Sequence, residues 1–220
     1  MSTRKVSFAV DEYYHLYTRG VEKRAIFLDF QDYNYFLFLM FICNTQKPIR
    51  MKSLEDKEFE RGDTIVDLGV YCLMPNHIHI LTKEKVEGGI SKYMLKLLTS
   101  YSIYFNKKYK RSGRLYESTF KSKHVDGDTY LKYLYAYIHL NPAKLIDKNW
   151  KKKRTKSTTE LFKFTEDYTF SSLQEYLKTD EGLKRGILNS EVFPDYFKNS
   201  AGRKHELFEW LSFEDLPLQG

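Results

Sequence analysis

Residues 65–82 decide the fold, and they read Ile-Val-Asp-Leu-Gly-Val-Tyr-Cys-Leu-Met-Pro-Asn-His-Ile-His-Ile-Leu-Thr. The first ten, residues 65–74, are mostly apolar and β-favouring, which predicts a strand. Pro75 and Asn76 predict a turn, and residues 77–82 predict a second strand. The two strands form a hairpin, so we expect an antiparallel sheet.

Both strands and helices are predicted around this hairpin. Before the hairpin, a strand is predicted over residues 13–19 and a helix from Asp29 or Asp32 to about Asn44. After it, one helix is predicted over about residues 90–107 and another from Asp126 or Asp128 to about Leu140, where Pro142 ends it. A mostly helical tail with a break at residues 182–186 follows. This order predicts an α+β protein, with helices packed on a ferredoxin-like antiparallel sheet and a mostly helical C-terminal extension.

Length and composition indicate a soluble globular protein. The chain has 220 residues, of which 42% are apolar and 30% charged, enough for one or two domains. No apolar run approaches the roughly 18 residues that a membrane-spanning helix needs, and the first ten residues do not predict a secretory signal. Two cysteines cannot form a disulfide framework, so we expect a reducing, cytoplasmic setting.

Charge is divided unevenly along the chain. Residues 1–156 carry 29 Lys and Arg against 17 Asp and Glu, whereas residues 157–220 carry 7 against 12. A basic body favours a polyanionic partner, although a solubilising surface explains the charge equally well. The 18 tyrosines, many beside lysines, add aromatic faces that stack on unpaired bases. Together these features favour single-stranded nucleic acid.

His77 and His79 are two residues apart on the second hairpin strand. Alternate side chains of a strand share a face, so both rings point one way while Ile78 and Ile80 point into the core. Two imidazoles on one face are natural ligands for a divalent metal. The pair alone also fits two exposed histidines that bind nothing.

The helix before Pro142 carries two stripes. Leu131, Leu134, Tyr135 and Ile138 form the packing face, while Tyr133, Tyr137 and Asn141 recur every four residues on a more polar stripe. Asn141 in the last turn offers a hard oxygen ligand for Mg²⁺ or Mn²⁺. An amphipathic helix with tyrosines half-buried at its edge explains the same pattern.

Together these segments resemble the single-tyrosine HUH transposases, in particular the REP-associated tyrosine transposases. The resemblance extends over about residues 13–177, and Tyr116 and Phe170 stand where the family usually has tryptophan. The segments that carry it are residues 74–81 (Met-Pro-Asn-His-Ile-His-Ile-Leu), residues 137–145 (Tyr-Ile-His-Leu-Asn-Pro-Ala-Lys-Leu), residues 18–20 with 24–27 and 32–33, residues 113–117 (Gly-Arg-Leu-Tyr-Glu) and residues 168–172 (Tyr-Thr-Phe-Ser-Ser).

The resemblance implies the roles of four residues. His77, His79 and Asn141 correspond to the family's metal ligands, and Tyr137 corresponds to its nucleophile. Tyr133, on the same helix, is a less suitable nucleophile because it lies two turns from Asn141, and Tyr135 because it faces the core. The resemblance also implies an HUH catalytic domain over residues 1–150. Residues 151–220 then form a basic linker and an acidic, mostly helical extension.

The implied activity is DNA cleavage and strand transfer. With Mg²⁺ or Mn²⁺ bound, Tyr137 would attack the DNA backbone and form a 5′-phosphotyrosine. The implied partner is single-stranded or hairpin DNA, with no membrane involved and with a homodimer and a monomer both left open. The enzyme would be cytoplasmic, and nucleoid-associated when DNA-bound. Two alternatives are a non-catalytic DNA-binding module that retains the fold and a phosphodiesterase that uses water.

Basic side chains outside the motifs are candidates for phosphate contacts, although each is equally well explained as a solvated surface charge. They cluster at residues 107–123 and 151–154, with two more near the first strand. The predicted DNA-binding residues are Arg19, Arg24, Lys107, Lys108, Lys110, Arg111, Arg114, Lys121, Lys123, Lys151, Lys152, Lys153 and Arg154.

Overall fold

The computed structural model describes residues 7–48, 61–151, 153–177, 186–196 and 200–212. Most of the predicted chain break at residues 182–186 therefore lies outside the described residues. None of the described helices is long and apolar enough to cross a membrane. The main elements are β1 (Tyr13–Arg19), α1 (Phe30–Ile42), β2 (Val66–Met74), β3 (His77–Glu84), α2 (Gly89–Lys108), β4 (Lys121–Val125), α3 (Asp128–His139), α4 (Thr158–Asp167), α5 (Leu173–Leu177) and α6 (Ser200–Ser212).

The four strands form one antiparallel sheet in the order β2-β3-β1-β4. With α1 between β1 and β2 and α2 between β3 and β4, this is the βαββαβ arrangement of ferredoxin-like proteins. The predicted fold class is therefore confirmed. The hairpin of β2 and β3 lies at one side of the sheet, and β3 and β1 form its centre.

The strand β4 is not predicted by the sequence. Its five residues, Lys-Ser-Lys-His-Val, show no alternation of apolar and polar side chains. The reason is its position, because β4 is an edge strand that pairs only with β1. Edge strands tolerate lysines, which also discourage pairing with other chains. Part of the predicted basic segment is consequently a strand of the sheet.

Helices cover both faces of the sheet. On one face, Leu16, Ile78 and Ile80 are fully buried in a core shared with α1 and α2. On the other face, Leu81 and Val125 are buried in a second core built with α3. Alternation along β3 thus places Ile78 and Ile80 under the first pair of helices and turns the histidines towards the side of α3.

An acidic pair begins α1. Asp29 is the N-cap, and its side chain and that of Asp32 accept each other's backbone N–H groups in a capping box. Asp32 is completely buried, so its charge needs a partner. The Lys108 ammonium lies 2.8 Å from the carboxylates of both Asp29 and Asp32 and provides it.

Residues 168–172 close the outer edge of β2. The Leu73 N–H donates to the Phe170 carbonyl at 2.9 Å, and the backbones of Cys72 and Ser171 form an isolated antiparallel β-bridge. The Phe170 ring stacks on Tyr33 of α1 with ring centroids 3.9 Å apart. The segment therefore ties α1 to the sheet edge.

The C-terminal helices pack behind α3. A third cluster of buried side chains joins Ala136 and Leu140 to Leu207 and Leu211 of α6. Trp150 is buried in the same cluster. The helical extension is thus continuous with the back of the helix that carries Tyr137.

His139 is buried between α3 and α5, with its ring centroid 5.3 Å from that of Tyr176. It is fully buried, and one of its ring nitrogens lies 2.9 Å from the Ser172 hydroxyl. Burial, with a smaller effect from the Arg203 charge, lowers the pKa of His139 to about 3. The unfolded chain therefore binds a proton at this residue between about pH 6.5 and pH 3 that the folded chain does not bind.

We expect His139→Gln to make stability less dependent on pH. Between pH 7 and pH 4.5 the wild type should lose about 2 kcal/mol more of its unfolding free energy than the variant, because glutamine takes no proton. Urea unfolding at the two pH values measures this difference. Replacing the exposed His205 by Gln is the control and should follow the wild type, whereas equal losses in wild type and His139→Gln would contradict the assignment.

Candidate active site

His77 and His79 lie side by side on the α3 face of β3. Their ring centroids are 5.0 Å apart, with the planes nearly perpendicular. In the sheet, His77 pairs with Arg19 and His79 pairs with Tyr17 of β1. The side-chain alternation predicted from the sequence places both rings on one surface. The register with β1 places the cationic Arg19 beside His77.

Tyr137 and Asn141 reach this surface from the end of α3. The Tyr137 ring centroid lies 5.6 Å from that of His79. Asn141 is not in the last turn of α3, because the helix ends at His139 and a short 3₁₀ helix, Asn141–Leu145, follows. Pro142 lies in the first turn of that 3₁₀ helix, which accounts for the change in helix type.

The Asn141 amide is buried and incompletely satisfied. Its side chain is 1% exposed, and neither its oxygen nor its nitrogen has a hydrogen-bond partner among the described residues. Orphaned buried polar atoms are rare, and they commonly mark a ligand or an ion site. Burial lowers the pKa of His77, and a smaller, opposing effect of the Asn141 amide places that amide beside the ring.

The hydrogen bonds of Asn76 fix the proton of His77. The Asn76 side-chain nitrogen donates to the Lys23 carbonyl at 3.0 Å, so its oxygen faces His77. That oxygen lies 2.6 Å from His77 Nδ1 and can only accept. His77 Nδ1 therefore carries the hydrogen, and the lone pair of Nε2 is free for a ligand.

Both histidines are held in the neutral form. Burial, followed by the charges of Lys144 and Arg19, lowers the pKa of His77 to about 4. Burial and the neighbouring imidazoles of His15 and His77 lower the pKa of His79 well below its usual value. Neutral imidazole is the form that binds a metal, so the pair fits a divalent cation.

The third predicted ligand is an amide rather than an acid. Among the residues that the structure describes, no three His, Cys, Asp or Glu side chains form a group that could hold a metal ion. Two imidazoles and an amide oxygen give a site with no charge of its own. Such a site is suited to a hard cation that also takes charged oxygen from a phosphate.

Lys144 is a site residue that the sequence analysis missed. Its ammonium donates to the Tyr137 hydroxyl at 3.1 Å and lies 4.8 Å from the centre of that ring. The signal was present in the sequence, because a spacing of seven residues returns to the same side of a helix. Pro142 predicts the end of the helix before Lys144, which conceals the relation.

Tyr133 occupies a different environment from Tyr137. Tyr133 is buried, and its ring centroid lies 5.7 Å from that of Trp210 in α6. Burial, then the neighbouring tyrosines Tyr137 and Tyr130, raise the pKa of Tyr133 to about 12. Tyr137 is half-buried and its ring lies beside that of His79, so it is better placed than Tyr133 to act as a nucleophile.

Three of the predicted DNA-binding residues surround the site. Arg19 pairs with His77 in the sheet, and Lys123 lies one strand further out, opposite His15. The Lys151 ammonium lies 5.1 Å from the centre of the Tyr137 ring. Burial and the Lys144 charge lower the pKa of Lys151 to about 8. These cations give the surface a positive potential that favours a phosphodiester.

Other predicted DNA-binding side chains have partners within the protein. Lys108 is paired with the two acids of α1, and Arg111 donates to Asn106 at 3.1 Å. Arg154 contacts Thr158 and the Leu211 carbonyl, which ties the linker to α6. Arg24 pairs with Glu22, and Lys121 lies 3.5 Å from Glu117. Of the rest, Lys107, Lys110, Arg114 and Lys153 are exposed, and Lys152 lies outside the described residues.

Comparison with known proteins supports the family resemblance. Residues 50–141 match the family model described as "Transposase IS200 like". Over this segment, the predicted resemblance to insertion-sequence transposases is confirmed. The IS200-like segment contains His77, His79, Tyr137 and Asn141, whereas Lys144 and Lys151 lie beyond its end.

The chain is similar to a solved structure titled "Structure of the REP associates tyrosine transposase bound to a REP hairpin". The two share 16% identity with a TM-score of 0.48, over 92% of this chain and 97% of that chain. No curated protein matches the chain.

Proposed function

We propose that this protein is a DNA strand transferase in which Tyr137 is the nucleophile. The proposal is carried by one observation: the half-buried Tyr137 phenol lies beside the neutral imidazoles of His77 and His79 on a positively charged surface. The Asn141 amide, which has no hydrogen-bond partner among the described residues, lies there too. The family match over residues 50–141 supports the same reaction class. As the resemblance implies, the DNA is single-stranded or hairpin DNA.

The metal site would be formed by His77, His79 and the Asn141 oxygen. A bound Mg²⁺ or Mn²⁺ supplies Lewis-acid stabilisation of the charge on the scissile phosphate. The protein contributes the orientation of the ligands. His77 is oriented through Asn76, and Asn141 is held by the 3₁₀ helix that follows α3.

In the first step the Tyr137 oxygen attacks phosphorus while the bond from phosphorus to the DNA 3′ oxygen breaks. The phenol proton leaves to solvent, the released 3′ oxygen takes up a proton, and the 5′ phosphate stays on the enzyme as a phosphotyrosine. Attack by another 3′ hydroxyl reverses the step and joins two strands without ATP, because the phosphotyrosine conserves the energy of the broken bond.

Lys144 would assist this exchange at the Tyr137 oxygen. Its ammonium already donates a hydrogen bond to that atom, and a positive charge there stabilises the phenolate both as it attacks and as it leaves. Arg19, Lys123 and Lys151 would contact the phosphates on either side of the scissile bond.

A covalent-trapping gel tests the nucleophile. The protein is incubated with Mn²⁺ and labelled single-stranded oligonucleotides that cover both strands of the DNA flanking its gene, and the mixture is then denatured. Because Tyr137 forms the bond, we expect a labelled protein band in the wild type and in Tyr133→Phe. Tyr137→Phe and the chelator-treated wild type should give none. An adduct that persists in Tyr137→Phe, or cleavage with no adduct, would refute the proposal.

A second experiment tests Lys144. Lys144→Met should slow adduct formation about 100-fold, the size typical of removing one charge-stabilising donor. Lys144→Arg keeps the charge and should recover part of the rate. The matched control is Lys148→Met, which removes an exposed charge from the same segment and should form adduct at the wild-type rate. Unchanged kinetics in Lys144→Met would show that the contact with Tyr137 has no role in the reaction.

A further inference from the structure

His15 is buried next to the candidate metal ligands. It lies on β1, where it pairs with Leu81, and its side chain points to the same face of the sheet as His77 and His79. Only 7% of His15 is exposed. Its ring lies edge to edge with that of His79, with centroids 5.1 Å apart and an angle of 23° between the ring planes. Nothing in the sequence motifs singled out this residue.

A specific hydrogen bond joins the two rings. His15 Nε2 lies 2.9 Å from His79 Nδ1. A hydrogen bond between two ring nitrogens needs one N–H group and one lone pair, so one histidine donates and the other accepts. If His79 donates from Nδ1, its Nε2 has a free lone pair. If His15 donates, the hydrogen of neutral His79 is on Nε2, and that atom cannot bind a metal.

We propose that His15 is a positioning residue that holds His79 in its metal-binding tautomer. His15 Nε2 accepts the hydrogen of His79 Nδ1, which fixes the orientation of the His79 ring and leaves Nε2 free. The proposal rests on the metal site of the proposed function. Partners of this kind, which hydrogen-bond to the second nitrogen of a ligating histidine, are a general means of tuning a metal site.

The neighbouring ligand follows the same design. His77 Nδ1 donates to Asn76, whose own orientation is fixed by the Lys23 carbonyl. Each candidate histidine ligand thus contacts an acceptor through Nδ1 and presents Nε2. Asn76 is next to its histidine in the sequence, whereas His15 is 64 residues from His79 and is brought there by the pairing of β1 with β3.

Two substitutions separate the hydrogen bond from simple packing. His15→Gln keeps an acceptor oxygen near the position of Nε2, and His15→Leu keeps a side chain of moderate size with no acceptor. Mn²⁺ binding to each purified protein is measured by calorimetric titration without DNA. We expect His15→Leu to bind Mn²⁺ about 10–100-fold more weakly than the wild type, and His15→Gln to bind within a few-fold of it.

A second measurement uses the wild type and does not depend on variant folding. A long-range ¹H–¹⁵N NMR spectrum of the metal-free protein shows which ring nitrogen carries hydrogen. We expect His79 to carry it on Nδ1. A hydrogen on His79 Nε2, or wild-type affinity for Mn²⁺ in His15→Leu, would overturn the role of His15 and leave the proposed function intact. A wild type that binds no Mn²⁺ would contradict the metal site itself, and this assignment with it.

Discussion

The pairing of β3 with β1 is the constraint on which the site depends. Along β3, Ile78 and Ile80 are fully buried under α1 and α2, so His77 and His79, which alternate with them, must face α3. Because the side-chain period of a strand is two, a slip of one residue would move the histidines into the core and the isoleucines onto the site. The burial that stabilises the sheet therefore also orients the candidate ligands.

The same pairing assembles the surroundings of the histidines. Arg19 is opposite His77, Tyr17 is opposite His79, and His15 lies close enough to hydrogen-bond to His79. Residues far apart in the sequence thus form one surface through backbone pairing alone. Addition of β4 outside β1 brings Lys123 to its margin.

The other half of the site depends on the packing of α3. Ala136 and Leu140 face away from the histidines, into a cluster with Leu207 and Leu211 of α6. Small side chains at positions 136 and 143 allow the C-terminal region to approach the back of this segment closely. Tyr137 and Asn141 then emerge on the opposite side, which gives the C-terminal extension a structural role in positioning them.

Much of the fold could be predicted because its determinants are local. The apolar run of residues 65–74, the alternation around His77 and His79, and a capping acid at Asp29 or Asp32 depend on near neighbours in the sequence, and the sequence predicts all three. β4 could not be predicted, since its pairing with β1 rather than its composition makes it a strand. Lys108 pairs with Asp32, whereas Lys123 lies opposite His15 at the site. The sequence does not distinguish them, since both lie in one basic stretch and only the fold separates them.

The candidate site shows the same division. Two histidines on one strand and a stripe of Tyr137 and Asn141 on one helix are patterns within single elements, and the structure brings the two patterns together. His15 belongs to neither pattern, and its relation to His79 exists only in the folded sheet. Lys144 lies beyond a proline that ended the predicted helix, although the chain continues on the same side as a 3₁₀ turn.

The most direct test of the central claim is a crystal structure of the wild type soaked with Mn²⁺, with anomalous diffraction used to locate the ion. The account predicts one strong anomalous peak within bonding distance of Nε2 of His77, Nε2 of His79 and the Asn141 oxygen. A peak bound elsewhere, or crystals in which these three side chains bind no Mn²⁺, would contradict it.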